Sequence, residues 1–231
     1  MSAKNEFRNS LLSVGLAAFL ATCGGSDAAG GSPLGLTAFN DAVYFSAFDA
    51  TGGTELWKSD RNGADTVLVK DINLGPNGSI SGRLTVFKDA LYFSANDGAS
   101  GFELWRSDGT EAGTARVKDI NPGKDGSIPG GLIVFRDALY FSANDGASGF
   151  ELWKTDGTEA GTVRAKDINP GPGGSSPFGF KVENGVLTFF ADDGANGFER
   201  WQSDGTEAGT ARVKDSNALA QRAGPMTAGQ H

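Results

Sequence analysis

The chain has 231 residues, enough for one or two domains with a sizeable core. A formal net charge of −8 argues against the basic surface of a nucleic-acid-binding protein, so we predict no nucleic-acid partner. One Cys cannot form an internal disulfide, and one His, at position 231, cannot form a His dyad or a multi-His metal site. This composition disfavours most kinds of catalytic centre.

The beginning of the chain is typical of a secretory signal peptide, which we predict to cover residues 1–22. A basic start precedes the apolar run 11–21, which is too short to cross a bilayer as a helix of about 20 residues. The run ends in LATC, which resembles the lipobox of bacterial lipoproteins, with Thr22 where that family has Gly, Ala or Ser. The resemblance implies that Cys23 is lipidated; a plain signal peptide with an unmodified cysteine is the alternative.

The predicted organisation has three further parts. Residues 23–33 are rich in Gly and Ser and are predicted to be a flexible tether, residues 34–217 a repeat domain, and residues 218–231 a disordered tail. The lipobox resemblance implies attachment to the membrane through a lipid anchor, because two or more acyl chains give stable anchoring. We therefore expect the protein at the cell envelope, lipid-anchored to the outer membrane; a secreted or periplasmic protein is the alternative.

The repeat domain contains four copies of one sequence unit. Its four tryptophans are each separated by 48 residues, at Trp57, Trp105, Trp153 and Trp201. Residues 82–129 and 130–177 are identical at 38 of 48 positions, which indicates duplication. A fixed period of this length is typical of repeat architectures.

Each unit is predicted to contain four short strands and no helix. In the second copy these are residues 84–87, 90–96, 102–107 and 114–120, separated by turn sequences rich in Asp, Asn and Gly. Four antiparallel strands in 40–50 residues form a β-propeller blade, so we predict an all-β propeller of four four-stranded blades. A closed ring within one chain is the favoured arrangement, and a larger ring built by two chains is the alternative; the protein is thus a monomer or a dimer.

The strings ELWKSD, ELWRSDGTEAGT and ELWKTDGTEAGT resemble the bacterial ELWxxDGT repeat family, over about residues 34–217. The fourth copy departs from the pattern with Arg200 in place of Leu, and with Ser216 in place of Ile. Members of this family are exported, hyalin-like repeat proteins without a defined enzyme activity. The resemblance therefore implies an exported location rather than a chemistry.

Polar residues recur in every copy and are expected to gather at one edge of each blade. In the second copy, Asp97 ends the second strand, Glu103 opens the third and Asp119 closes the fourth, with Lys118 beside it. The favoured interpretation is structural, with loop capping by the acids and an ion network through the lysine. The alternative is Ca²⁺ coordination by carboxylate oxygens. Its candidate ligands in the second and third copies are Asp97, Glu103, Asp119, Asp145, Glu151 and Asp167.

No catalytic motif is found: the sequence has no HExxH, P-loop or GxSxG spacing. We therefore predict no catalytic residues, no cofactor, and a non-catalytic module that binds or displays a protein or glycan ligand at the cell envelope. A glycan-active hydrolase that uses paired carboxylates at the propeller mouth is one alternative. A structural spacer repeat is the other.

Overall fold

The computed structural model describes residues 34–49, 53–60, 63 and 65–213. The predicted signal peptide, Cys23, the tether and the C-terminal tail lie outside these residues, and their assignments remain predictions. Within the described part of the chain, no helix is long and apolar enough to cross a membrane.

The described chain is all β, and its strands form four antiparallel four-stranded sheets in which spatial order follows chain order. We call these sheets blades 1 to 4. Blade 1 contains β1 (Leu34–Phe39), β2 (Ala42–Asp49), β3 (Gly53–Ser59) and β4 (Thr66–Lys70). Blade 2 contains β5 (Ile80–Phe87), β6 (Ala90–Asn96), β7 (Phe102–Ser107) and β8 (Ala115–Lys118). Blade 3 contains β9 (Gly130–Phe135), β10 (Ala138–Asn144), β11 (Phe150–Thr155) and β12 (Val163–Lys166). Blade 4 contains β13 (Phe178–Glu183), β14 (Val186–Asp192), β15 (Phe198–Ser203) and β16 (Ala211–Arg212).

The predicted blades are confirmed, and in the second copy β6 and β7 have the predicted bounds. The first strand of that copy begins earlier than predicted, at Ile80, because a register shift between Ser81 and Thr85 lets the chain pair with β6 on both sides of a bulge. All four blades carry such an irregularity between their first two strands. The Asn-Gly turn between the first two strands of blade 4 has positive φ at both Asn184 and Gly185, as a two-residue hairpin turn of type I′ requires.

The blades radiate from an axis. Among the innermost strands, β1 packs on β5, β5 on β9 and β9 on β13, whereas the outer strands of successive blades do not pack on one another to a similar extent. A stack of repeats would place every strand beside its equivalent, so this pattern is that of a β-propeller. Neighbouring blades fan outward and leave wedge-shaped spaces between them, which large side chains fill.

Each space between blades holds a separate apolar core. One face of a blade presents Leu, Phe, Ala and Trp to the preceding blade, which contributes Tyr, Leu, Val and Ile. Between blades 2 and 3 the core consists mainly of Tyr92, Leu104, Val117, Ile120, Leu139, Phe141, Ala143 and Trp153. Because both faces of a central blade are covered, its second strand is an almost unbroken apolar run: the first six residues of β6 are all buried.

The ring expected from four blades is not closed by the described strands, since β13 and β1 lack the packing that joins the other inner strands. Blade 4 also carries charged residues on its outward face. Glu183 and Arg200 stand where blade 3 has Phe135 and Leu152, and they form an ion pair at 2.7 Å on this face. The ion pair puts charge on a face that still exposes a cluster of three rings, Phe178, Phe190 and Phe198.

Restoring apolar residues at these two positions should enlarge the exposed apolar surface of blade 4. We expect the double substitution Glu183→Phe and Arg200→Leu to cause self-association, because it rebuilds a face that other blades cover with a neighbour. Light scattering after size-exclusion chromatography should show larger species for this variant only. Arg212→Leu, which removes an exposed charge from the same blade, is the control and should leave the size unchanged. An unchanged size for the double variant would show that the ion pair is not what limits association through this face.

Candidate functional site

In blades 1 to 3 the glutamate of the ELWxxDGT motif is fully buried and holds the connection to the next blade. Glu103 Oε1 accepts hydrogen bonds from the backbone N–H groups of Asn121 (3.0 Å) and Ser127 (3.0 Å). Its Oε2 accepts bonds from the N–H of Ile120 (3.1 Å) and from the Ser127 hydroxyl (2.5 Å). These donors lie just after β8 and just before β9, so one carboxylate fixes both ends of the linker. Glu151 repeats the arrangement in blade 3 through Ile168, Asn169 and Ser175.

The leucine and tryptophan of the motif point to opposite faces of the strand and fill two different cores. Leu104 is fully buried against blade 3, and Trp105 is 7% exposed against blade 1. Trp105, Trp153 and Trp201 are all buried in the cores, while Trp57 is only half-buried.

The Asp-Gly-Thr end of the motif builds a hydrogen-bonded turn. Asp108 Oδ1 accepts bonds from the backbone N–H (2.9 Å) and hydroxyl (2.7 Å) of Thr110. The glycine between them, Gly109, has a φ of 92°, and a Cβ there would lie 2.0 Å from the Tyr44 hydroxyl oxygen of blade 1. The turn therefore needs glycine both for its conformation and for the close approach of the neighbouring blade.

The recurrent lysine does not neutralise the acids, so this part of the predicted ion network is wrong. Lys118 Nζ donates to the backbone carbonyl of Thr162 in blade 3 at 2.9 Å, and Lys70 makes the same bond to Thr114 in blade 2. The side chain is drawn away from the acidic edge because the next blade offers a carbonyl at the far end of its last hairpin. The lysine is a connector between blades.

The aspartates at the acidic edge are paired with arginine instead. Asp119 lies 3.3 Å from Arg116, and in blade 3 Arg164 lies 3.1 Å from Asp167 and 3.7 Å from Asp145. These groups are roughly one-quarter to one-third exposed, so the pairs contribute little to stability, about 0–1 kcal/mol each. Arginine thus supplies the positive charge beside these aspartates.

The remaining candidates for calcium ligation have other partners. Asp97 Oδ1 accepts bonds from the backbone N–H groups of Ala99 (3.0 Å) and Ser100 (2.8 Å), and Asp145 repeats this loop cap. The carboxylate oxygens of Glu103 and Glu151 accept hydrogen bonds from the linkers. Among the described residues, no group of three or more Asp, Glu, His or Cys side chains is arranged to hold a metal ion. The acids of each blade share an edge of the sheet, but the structure does not bring them together as a ligand set.

Burial and hydrogen bonding move the pKa values of these acids in opposite directions. Burial raises the pKa of Glu103 above its ordinary value of 4.5, although the bonds from Ser127, Asn121 and Ile120 oppose the change. For Asp97, burial also acts to raise the pKa, but the bonds from Ser100 and Ala99 outweigh it and the pKa is lowered below 3.8. The buried glutamates and the loop-capping aspartates therefore contribute to stability in different pH ranges.

The raised pKa of Glu103 predicts how stability depends on pH. The folded state retains this proton at pH values where the unfolded chain has lost it, so stability falls as pH rises from about 4.5 through the folded pKa. The Glu103→Gln variant cannot titrate at this position. We expect the difference in unfolding free energy between wild type and Glu103→Gln, measured with urea from pH 4 to 8, to shrink as pH rises. A difference that grows with pH would mean that the four hydrogen bonds favour the carboxylate more than burial disfavours it.

A second candidate site lies on the propeller axis, where the sequence analysis named no residues. A cavity of about 480 Å³ opens between the beginnings of β5, β9 and β13. Small-molecule sites have volumes of roughly 300–1,000 Å³, so the size is suitable for a ligand. Glycines form much of the wall, and apolar side chains contribute the rest of a mixed surface. The lining residues are Gly82, Arg83, Leu84, Thr85, Ser94, Pro129, Gly130, Gly131, Leu132, Ile133, Gly179 and Phe180.

Arg83 is the one charged residue among those that line this cavity. The other three copies have glycine at the equivalent position, namely Gly35, Gly131 and Gly179. Arg83 is therefore a singular residue in a repeated structure, and it is exposed. The sequence signal for Arg83 is that it differs from the glycine of the other three copies. A pattern of recurrent polar residues does not include it.

Comparisons with known proteins show the fold alone. No family model and no curated protein matches the chain. A puromycin hydrolase crystal structure is similar with a TM-score of 0.51 at 17% identity, and a mutant of such an enzyme with a TM-score of 0.50 at 18% identity. These matches cover 79% and 76% of this chain but only 29% and 28% of those chains. A glycoside hydrolase described as Bacteroides ovatus xyloglucan GH43B covers 81% of this chain and 41% of its own, at 15% identity and a TM-score of 0.37. The chain thus spans less than a third of the length of the puromycin hydrolases, with which it shares a propeller-type fold.

Proposed function

We propose that this protein is an exported, non-catalytic binding module of the bacterial cell envelope, related to the ELWxxDGT repeat proteins. The observation that carries the proposal is the use of the recurrent motif residues. The glutamate holds the linker, the leucine and tryptophan fill the cores, the Asp-Gly-Thr residues form the turn, and the lysine joins two blades. The motif thus builds the scaffold, and the axial cavity is the feature suited to a ligand.

The composition of the cavity supports binding rather than hydrolysis. Glycoside hydrolysis commonly needs two carboxyl groups that face the scissile bond. The described residues that line the cavity include no Asp, Glu, His or Cys. The recurrent acids are held by backbone donors or by arginine, as expected of a scaffold.

A glycan array tests this function on the full chain with Cys23→Ser, which keeps the protein soluble if the cysteine is the lipid anchor. We expect retention of a restricted set of envelope-type glycans and no product release from them in a hydrolase panel. Product release would favour the hydrolase alternative. Uniform absence of binding would favour a spacer.

The membrane anchor has its own test, because its residues lie outside the described part of the chain. We expect the natural protein to partition into detergent and to carry acyl chains on Cys23, because the sequence before it resembles a lipobox. The Cys23→Ser variant should move to the soluble fraction. Mass spectrometry that finds an unmodified cysteine would overturn the lipid anchor.

A further inference from the structure

We propose that the axial cavity binds an acidic saccharide, a sugar that bears a carboxylate, with Arg83 as the anchor for the carboxylate. This inference rests on the proposed binding function and specifies its site and ligand class. The protein as a whole carries a net charge of −8, so a general attraction for anions is not expected. An anion would therefore bind only where a local cation is placed for it.

Arg83 is such a cation because its charge is not used by the protein. Arg116, Arg164 and Arg200 have acidic partners, whereas Arg83 belongs to the described arginines without an ion pair and is the one that lines the cavity. Arg83 has no hydrogen bond or ion pair with any residue in the described part of the chain, although it lines a cavity. A guanidinium group presents a planar set of donors that matches a carboxylate in a bidentate manner.

A second observation comes from Ser94, which lines the same cavity. Its side chain is 4% exposed, and its hydroxyl has no hydrogen-bond partner among the described residues. Buried hydroxyl groups nearly always have a partner, so an orphaned one beside a cavity indicates that a ligand or a water completes it. A sugar hydroxyl can both donate to and accept from a serine.

The rest of the cavity fits the body of a sugar ring. The glycines of β9 and β13 leave backbone groups accessible, and the absence of a side chain at Gly131 lets the Phe180 ring approach to 2.6 Å from where a Cβ would stand. Leu84, Leu132 and Phe180 supply an apolar surface for the C–H face of the ring. A mixed wall with few polar groups is typical of ligand sites that fix orientation through those groups.

The repeat itself provides a mild substitution to test the anchor. Arg83→Gly introduces the residue that the other three copies have at this position, so the fold should tolerate it. Arg83→Lys keeps the charge but loses the bidentate geometry. Arg136→Gly removes a charge from a turn of blade 3 outside the cavity and is the matched control.

The experiment is calorimetric titration of the full chain carrying Cys23→Ser with a uronic acid trisaccharide and with the matched neutral trisaccharide. We expect saturable binding of the acidic sugar, at least tenfold weaker binding for Arg83→Gly, intermediate binding for Arg83→Lys, and no change for Arg136→Gly. Ser94→Ala should weaken binding several-fold. The neutral sugar should bind at least tenfold more weakly than the acidic one. Thermal unfolding of each variant verifies that it is folded.

The outcomes separate this inference from the general function. No binding of the acidic sugar by the wild type, or equal binding by Arg83→Gly, overturns the assignment of the cavity. If the glycan array still shows specific binding that Arg83→Gly retains, the binding function stands and its site is elsewhere. If neither assay shows binding, both proposals fail.

Discussion

Replacing Trp105 by alanine should cost about 3–5 kcal/mol of unfolding free energy, because it leaves a large cavity between blades 1 and 2. The ring is 7% exposed and lies in the core with Leu56, Val69 and Ile72 of the preceding blade. Those residues come from three separate segments of blade 1, so the space cannot close without movement of a whole sheet. Urea unfolding monitored by circular dichroism gives the free energy directly.

Trp57 provides an internal control for this substitution. It occupies the same position in blade 1 but is only half-buried, because no preceding blade covers it among the described strands. Trp57→Ala should therefore cost clearly less than Trp105→Ala. Equal losses at the two positions would mean that the space between blades 1 and 2 does not determine the contribution of the tryptophan.

The sequence predicted the blades well because the same local pattern is repeated with a constant spacing. A hairpin such as residues 90–107 is defined by two strand-forming runs and one turn, and all of this information is local. The face each residue occupies also follows from alternation along the strand. The burial of Trp105 and of Leu104 on opposite faces could therefore be deduced from sequence.

Features that depend on contacts between blades were harder to predict. The backbone of Lys118 lies at the acidic edge, as predicted. The direction of its side chain is determined by the carbonyl of Thr162 in another blade, to which it donates a hydrogen bond. That the ring is open was also hard to predict. Arg200 replaces the recurrent leucine in the sequence, but its effect on packing can be judged only once this position is known to face outward from blade 4.

Recurrence of residues along the sequence does not indicate the axial cavity. In a repeat protein, residues that recur are those that every unit needs for folding, and the motif residues Glu103, Asp108 and Lys118 are all of this kind. A binding site on the axis is formed once, by several blades together. Its specific residues are therefore departures from the repeat, as Arg83 is.

Replacing Glu103 by alanine should be as damaging as loss of a core aromatic, with an expected cost of about 3–5 kcal/mol, because several buried hydrogen-bond donors lose their acceptor at once. The carboxylate accepts four hydrogen bonds from Ile120, Asn121 and Ser127, and its side chain is fully buried. Each buried donor left without a partner costs roughly 1–3 kcal/mol unless water reaches it. The linker between blades 2 and 3 would also lose the contact that fixes both of its ends.

Glu199 in blade 4 is the control that isolates this effect. It occupies the equivalent position, is only half-buried, and makes no hydrogen bond with the described residues. Glu199→Ala should therefore change the unfolding free energy by less than about 1 kcal/mol, since substitutions away from buried networks usually have small effects. Urea unfolding of both variants measures the difference, and hydrogen exchange of the Asn121 and Ser127 amides locates it. Comparable losses for the two glutamates, or protected linker amides in Glu103→Ala, would show that the linker is held by the packing of the blades and not by the carboxylate.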